Sequence, residues 1–265
     1  MFTITAWILA WTRLSWLSDF QAHTFTPLWL GYIITINALT YRRSGRCMLR
    51  NRPCSFLLLF PVSAGFWWFF EYLNRFVQNW YYVGPVFGPW EYFWYATLPF
   101  STVLPAVMGT RDWLLSFPWT QRYFQAFFPI RFSRPQAVAW PNLFVIGAGL
   151  TGIGIWPDYL FPLVWVSPLL IIISIQTIFR EPHLFSPLAH GDWRDIFSSA
   201  SSALVCGLFW EMWNTYSLAK WEYNIPFVHG FEVFEMPVLG YAGYLPFGLV
   251  CAVISQIVLG KQINK

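Results

Sequence analysis

Two glutamate–asparagine pairs lie in strongly aromatic segments of this chain. Glu71 precedes Asn74 by three positions, and Glu211 precedes Asn214 by the same spacing. Residues three apart share one face of a helix, so each pair can point at one neighbouring helix or cavity. Apolar surroundings disfavour the charged form of a carboxyl group, which can then serve as a proton donor, with the asparagine holding it in place.

The same pairs also fit a structural role. Polar side chains commonly join helices by hydrogen bonds inside apolar bundles. Asparagine or serine would make such bonds at a lower desolvation cost than glutamate, which favours the chemical role. The sequence alone therefore allows both roles for the Glu–Asn pairs, as proton donors or as interhelical hydrogen bonds.

Each pair begins a longer repeated pattern, which continues through a Trp-x-Tyr element and a further glutamate. The matched residues, separated by 141 positions, are Trp80 and Trp221, Tyr82 and Tyr223, and Glu91 and Glu232. An internal duplication is the simplest explanation. The second copy carries additional charge at Lys220, Glu222 and Glu235, which makes it the better candidate for chemistry.

Aromatic residues surround the repeated glutamates. Tryptophan and tyrosine concentrate at membrane interfaces, where they act as anchors. Those near the glutamates can instead line a pocket for a polyene and stabilise a carbocation by cation–π attraction. The tryptophans in question are Trp67, Trp68, Trp90, Trp210 and Trp213.

The sequence has no standard motif for a metal site, a nucleotide site or a serine hydrolase. His183, His190 and Asp192 do not have the spacing of a standard metal motif, and the 4 cysteines form no CxxC pair. There is no glycine-rich nucleotide loop and no Gly-x-Ser-x-Gly elbow. We therefore expect no metal and no cofactor.

The elements that position these residues are predicted to be membrane-spanning helices. Of the 265 residues, 57% are hydrophobic and only 11% are charged, whereas a soluble domain has about 25% charged residues. Apolar stretches of roughly bilayer length, about 17–25 residues, recur along the chain. The predicted spans are 4–18, 26–41, 54–74, 87–108, 142–156, 159–179, 197–217 and 233–259.

These spans predict an all-α bundle of about eight transmembrane helices, built from two tandem repeats in the same orientation. The first repeat covers residues 1–117, an amphipathic cytoplasmic linker covers 118–141, and the second repeat covers 142–265. The first span lacks a basic start and a clear cleavage site, so we assign it to the mature protein and not to a signal peptide.

Basic residues indicate the orientation. Of the 16 lysines and arginines, 13 fall in segments that are cytoplasmic if the N-terminus is inside. We expect an integral protein of a bacterial inner membrane with both termini cytoplasmic and the repeated glutamates toward the outer face. The net charge of +4 then reflects topology and contact with membrane lipid, and we expect no nucleic-acid partner.

The two copies resemble motifs of the integral-membrane lycopene cyclases of the fused or heterodimeric type. That family has two homologous multi-helix units, each with an acid-plus-Asn helix end, a Trp-Trp-Tyr-like loop and a Gly-x-x-Pro-x-Glu-Glu-x-x-Phe opening of the next helix. The matching segments of the first copy are 71–74, 80–82 and 88–93, and those of the second are 211–214, 221–223 and 232–237. The likeness covers residues 26–108 and 159–258 in layout.

The chain departs from that pattern in its paired acids. Trp90 stands where the first acid of the pair is expected. If residues 243–246 form the Gly-x-x-Pro element of the second copy, Gly248 and Leu249 replace both acids. Another isoprenoid or a lipid is therefore as compatible with the sequence as lycopene.

The resemblance implies redox-neutral cyclisation of a hydrophobic polyene or lipid substrate, initiated by a proton from a buried glutamate. The implied catalytic residues are Glu211 and Glu235, with Glu71 and Glu91 as their counterparts. The expected substrate-binding residues are Asn74, Asn214, Trp80, Tyr82, Trp210, Trp213, Trp221, Tyr223 and Glu232. A lipid or small-molecule transporter, or a non-catalytic subunit of a membrane complex, can use the same residues.

Overall fold

The computed structural model describes residues 2–12, 14–228 and 230–260, and most of them are helical, in agreement with the predicted all-α class. The helices are α1 (Phe2–Trp11), α2 (Ser18–Gln21), α3 (Phe25–Ser44), α4 (Met48–Asn51), α5 (Pro53–Val77), α6 (Pro89–Phe100), α7 (Val103–Leu115), α8 (Pro118–Phe124), α9 (Pro135–Gly152), α10 (Pro157–Leu160), α11 (Pro162–Ile178), α12 (Arg194–Thr215) and α13 (Tyr244–Leu259). The strands are β1 (Trp80–Val83), β2 (Lys220–Tyr223), β3 (Glu232–Val233) and β4 (Met236–Pro237).

Proline and left-handed residues set several helix ends. Helices α5, α6, α9 and α11 each begin with proline, whose fixed φ and missing N–H suit the first helical position. Gly45 follows α3 with a φ of 69°, and Gln78 follows α5 with a φ of 50°. The backbone N–H of Gln78 bonds the carbonyl of Asn74, which turns the chain from α5 into β1.

One predicted span, 87–108, is divided into α6 and α7. Pro99 has no N–H to continue the helical ladder of α6. The hydroxyls of Ser101 and Thr102 donate to the carbonyls of Leu98 and Pro99, at 2.6 Å each. Helix α6 therefore ends beside these residues, and the chain resumes as a separate helix.

The first and last predicted spans also differ from the structure. Residues 4–18 contain α1, a short 3-10 segment (Ser15–Leu17) and the start of α2. Residues 233–259 begin with strand residues and a 3-10 segment (Val238–Gly243) before α13. Within the described ranges, two segments are long and apolar enough to cross a membrane: Pro53–Val77 and Val238–Leu259.

Helix α7 lies at the centre of the bundle. It packs against α3, α5, α12 and α13, and its residues from Val103 to Arg111 are all buried. On one side α9 packs against α11, and α11 packs against α13; on the other, α1 packs against α3. Large buried aromatic side chains such as Trp29, Trp213 and Phe247 fill the spaces between these helices.

Polar contacts join the two halves of the chain at one end of the bundle. Arg111 of α7 is 1% exposed and bonds Asp195 in the first turn of α12. The segment predicted as a linker packs against the loop before α12, where the N–H of Phe127 donates to the carbonyl of Gly191 at 2.8 Å. Arg194 donates to the side chain of Gln121 in α8.

The β1–β2 pair lies at the opposite end, because β1 follows α5 and β2 follows α12. The pairing is antiparallel and places Trp80 opposite Tyr223 and Tyr82 opposite Trp221. The two Trp-x-Tyr elements of the sequence are therefore neighbouring strands of one antiparallel pair.

Candidate functional site

The two asparagines fix the strands to the helix ends. The side-chain amide of Asn74 donates to the carbonyl of Trp80 at 2.7 Å, and its oxygen accepts from the backbone N–H of Asn79 at 2.8 Å. Asn214 repeats the arrangement, donating to the carbonyl of Trp221 at 2.7 Å and accepting from its N–H at 2.9 Å. Each asparagine thus acts as a buried clamp on the backbone.

Glu71 lies one helical turn before Asn74, and three donors converge on its Oε1. The indole N–H groups of Trp67 and Trp80 donate to this oxygen at 3.0 Å each, and the hydroxyl of Tyr82 donates at 2.5 Å. The helix supplies Trp67 because residues four apart share a face. Strand β1 supplies the other two donors.

Glu211 lies in the corresponding position of α12 and is fully buried. Its Oε1 accepts from the hydroxyl of Tyr223 at 2.7 Å and from the hydroxyl of Tyr244, the first residue of α13. The indole N–H of Trp221 donates to the Tyr223 hydroxyl at 2.7 Å. Among the described residues, Oε2 of Glu211 has no hydrogen-bond partner.

The strand tyrosines keep their protons at neutral pH. Burial, followed by the nearby Glu71 carboxyl, raises the pKa of the Tyr82 hydroxyl well above its ordinary value. Burial does the same to the pKa of Tyr223. Both groups therefore remain O–H donors next to the glutamates.

A cavity of about 610 Å³ lies between the β1–β2 pair and the helices. Its volume falls within the range of about 300–1,000 Å³ that is usual for small-molecule sites. Aromatic residues are the largest class in its wall: Phe25, Trp67, Trp80, Tyr82, Phe87, Tyr92, Tyr95, Phe100, Trp165, Trp210, Trp221, Tyr223, Tyr244 and Phe247. The donors that hold Glu71 and Glu211 all belong to this wall, so each carboxyl lies directly behind it.

Five of the predicted substrate-binding residues line the cavity. They are Trp80, Tyr82, Trp210, Trp221 and Tyr223. Trp213 is instead buried in the core against Trp29, with ring centroids 5.1 Å apart. Substrate binding by these residues remains a prediction.

The remaining predicted acids serve other contacts. Glu91 caps the start of α6, where its Oε2 accepts from the N–H of Gly88 at 3.0 Å. Glu235 pairs with Lys220 at 3.1 Å, and Lys220 lies at the same distance from Glu222. Glu232 is exposed in β3.

The sequence did not single out Tyr244, Trp165 or Tyr92 as wall residues. Tyr244 opens α13 and comes near Glu211 only because α13 packs on α12. A usable signal was the aromatic residue at the start of the helix that follows each motif: Tyr92 in α6 and Tyr244 in α13. Trp165 lies in α11, and no local pattern connects it to the motifs.

The histidine and aspartate residues that the sequence analysis considered for a metal site have other partners. In the part of the chain that the structure describes, no group of three or more His, Cys, Asp or Glu residues is placed to hold a metal ion. His183 bonds the hydroxyl of Thr177 at 3.2 Å, and Asp192 bonds Arg194 at 2.7 Å. These side chains are therefore part of the loop structure.

Comparison with protein-family models, with curated proteins and with solved structures found no match to this chain.

Proposed function

We propose that this chain is an integral membrane protein with the N-terminus inside. Large apolar side chains are exposed on its helices, including Phe144 at 77%, Trp90 at 76% and Leu57 at 62%. Such a surface is stable in lipid and unfavourable in water. The arginines at the end away from the β1–β2 pair, such as Arg43 and Arg194, support a cytoplasmic location for that end.

We further propose that the two halves arose by duplication and function as paired units. The support is the matching hydrogen-bond pattern of Asn74 and Asn214, together with a strand register that pairs Trp80 with Tyr223 and Tyr82 with Trp221. In each unit a strand tyrosine bonds the glutamate of the preceding helix.

The function that we propose is proton-initiated cyclisation of a polyene or related isoprenoid, as the resemblance to membrane lycopene cyclases implies. The observation that carries this proposal is the aromatic cavity. Two of its wall tyrosines, Tyr82 and Tyr244, each donate a hydrogen bond to a glutamate that lies behind the wall. This reaction needs an acid, a base and a dry wall, and no oxidant.

The proposed steps are balanced as an isomerisation. An O–H bond of the acid breaks, and a C–H bond forms at a terminal double bond of the substrate. The resulting tertiary cation is attacked by a neighbouring double bond, which closes the ring. A base then removes a proton from an adjacent carbon and restores a double bond. Aromatic faces such as Trp210 and Phe247 stabilise the cation through cation–π attraction.

The position of Val86 indicates where a substrate can enter the cavity. It lines the cavity and is 98% exposed, so it marks the mouth. Phe87 and Tyr95 also line the cavity, and both pack against His23. An apolar mouth beside the β1–β2 pair suits an apolar ligand that enters at the outer membrane–water interface.

A second candidate is a lipid-binding or lipid-transport protein. Lys220 lines the cavity and provides a cation that can contact an anionic headgroup. Its pairing with Glu222 and Glu235 already neutralises this charge, which weakens the second candidate relative to the first.

The decisive experiment induces the chain in cells that have already accumulated lycopene and are then kept in ordinary water or in D₂O. The proposal predicts cyclic carotenoids that carry one solvent deuterium per ring. Unchanged pigment, in cells where the protein is folded in the membrane, would reject lycopene as substrate. Mass spectrometry of lipid extracted from the purified protein then identifies the isoprenoid or the lipid that occupies the cavity.

A further inference from the structure

The two carboxyl groups behind the cavity have different hydrogen-bond partners. Glu71 receives two indole N–H groups and one hydroxyl on a single oxygen. An indole N–H can only donate, so this oxygen must act as an acceptor. Three converging donors suit a negatively charged oxygen, because charge-assisted hydrogen bonds are about twice as strong as neutral ones.

Glu211 is bound only by hydroxyl groups among the described residues, and a hydroxyl can donate or accept. Its Oε2 is buried without a partner in the same part of the chain. An ionised Glu211 would leave a charged oxygen unsatisfied in the interior, at a large cost in free energy. A neutral carboxylic acid avoids that cost.

The two tyrosines on Glu211 also differ. The Tyr223 hydroxyl accepts from the indole of Trp221 and donates to Glu211, so its single proton is committed. The Tyr244 hydroxyl contacts both Glu211 and the Tyr223 hydroxyl, and it has no such indole donor among the described contacts. It can therefore accept the acid proton of Glu211 and direct its own proton toward the cavity that its ring lines.

We propose that Glu211 is held as a neutral acid and Glu71 as a carboxylate, and that Tyr244 and Tyr82 pass protons between these residues and the cavity. This assignment rests on the proposed cyclisation. It replaces Glu235, which is occupied by Lys220, and Glu91, which caps α6, in the roles that the sequence resemblance implied.

The proton transfers balance as follows. Tyr244 gives its hydroxyl proton to the substrate double bond and takes the proton of Glu211, so a C–H bond forms as the O–H bond of Glu211 breaks. After ring closure, Tyr82 accepts a proton from the cation and gives its own to Glu71. One proton has then moved from Glu211 to Glu71, and exchange with solvent restores the starting state.

Infrared spectroscopy of the purified protein tests the assignment without any substrate. A protonated carboxyl has a C=O stretching band that a carboxylate lacks, and the band shifts in D₂O. We expect this band to disappear in Glu211→Gln and to persist in Glu71→Gln. Loss in Glu71→Gln, or loss in neither variant, would overturn the proposal.

Tyrosine variants keep the test decisive if a glutamate variant does not fold. Tyr244→Phe removes a hydrogen bond from the acid, so the band should move to higher frequency. Tyr82→Phe should leave it unchanged, because the Tyr82 hydroxyl bonds Glu71 and not Glu211. An unmoved band in Tyr244→Phe would contradict the assignment.

Failure of the cyclisation and failure of this inference are separable. If no cyclic product forms but the band behaves as expected, the reaction is wrong and the protonation pattern is right. If product forms but the band follows Glu71, the reaction stands and the assignment of acid and base is wrong.

Discussion

At the scale of single residues, the site depends on which side chain each donor reaches. Glu211 and Glu91 are both glutamates of the repeated motif, yet one is fully buried behind the cavity and the other caps a helix at the surface. The family resemblance implied a catalytic role for both. The two carboxyls therefore differ in their surroundings and not in residue type.

We predict that Glu211→Gln lowers cyclisation by at least about 100-fold, since loss of a general acid typically costs about 10²–10⁴ in rate. Glutamine has nearly the same shape but cannot donate an acid proton. Product formation per folded protein in lycopene-accumulating cells measures this effect.

Glu91→Gln is the matched control. Glutamine at position 91 can still accept the N–H of Gly88, so both activity and folding should change little. Equal losses in the two variants would show that removing either carboxyl acts through general destabilisation.

Asn214→Ala is predicted to destabilise the protein through its backbone clamp. The variant leaves the N–H and the carbonyl of Trp221 without their partners, which costs about 1–3 kcal/mol for each buried group. The melting temperature in detergent should fall, and Asn74→Ala should have a similar effect. An unchanged melting temperature would contradict the clamp.

At the scale of elements, close contacts determine which residues the helices and strands tolerate. The resemblance expects an acid near Gly248, but this position of α13 faces α12. A Cβ built on Gly248 would meet the carbonyl oxygen of Ser199 at 2.0 Å and Cβ of Ala203 at 2.9 Å. The close packing of the two helices therefore explains why no acid stands there.

Gly84→Ala is predicted to destabilise the β1–β2 pair. Gly84 follows β1 with a φ of 112°, and a Cβ there would meet the carbonyl oxygen of Leu218 at 2.2 Å. Both the conformation and the space exclude alanine. We expect a lower melting temperature and a loss of bound ligand.

Gly65→Ala is the control for this change. Gly65 lies inside α5, and a Cβ there meets nothing within 4 Å. Alanine favours a helix over glycine by about 0.5–1 kcal/mol, so this variant should be neutral or more stable. A similar loss in both variants would contradict the steric explanation.

The loop before α12 predicts an acid-sensitive contact. Hydrogen bonds from Arg194 lower the pKa of Asp192 below its ordinary value. A lowered folded-state pKa stabilises the protein above the unfolded value, about 3.9, and that stability is lost as the pH falls through the folded value. Partial exposure limits the effect to about 1 kcal/mol or less.

The measurement compares the melting temperatures of the wild type and Asp192→Asn across this range. The difference should be largest near pH 7 and should vanish on acidification below the ordinary Asp range. A difference that is independent of pH would show that the charge of Asp192 does not support the loop.

At the scale of the whole molecule, the surface and the two ends of the bundle define the proposed topology. Val86 lies beside the β1–β2 pair and is 98% exposed, whereas Phe128 lies in the predicted linker and is 65% exposed. The N-inside orientation places these residues on opposite sides of the membrane.

We predict that Val86→Cys in intact cells reacts with a membrane-impermeant thiol reagent, whereas Phe128→Cys reacts only after lysis. Cys54 is exposed and is replaced by serine in both variants to remove background. The reverse labelling pattern would invert the proposed topology, and labelling of both positions in intact cells would reject the membrane-spanning arrangement.

The sequence determined the helical class and the two motifs, because apolar composition and residue type are local properties. Repeated spacing also singled out Trp80, Tyr82, Trp221 and Tyr223, and all four line the cavity. The sequence placed one long span at 87–108, where hydroxyl groups and Pro99 in fact divide the helix. Hydropathy averages over a window and does not register such a break.

Only the tertiary structure brought the two motifs together across β1 and β2 and enclosed a cavity between them. It also added Tyr244 to Glu211 and left Glu235 with Lys220. These outcomes depend on contacts between residues far apart in the chain, which follow from how α12 and α13 pack. Tertiary packing determines which donors bond each carboxyl, and the sequence alone does not specify those donors.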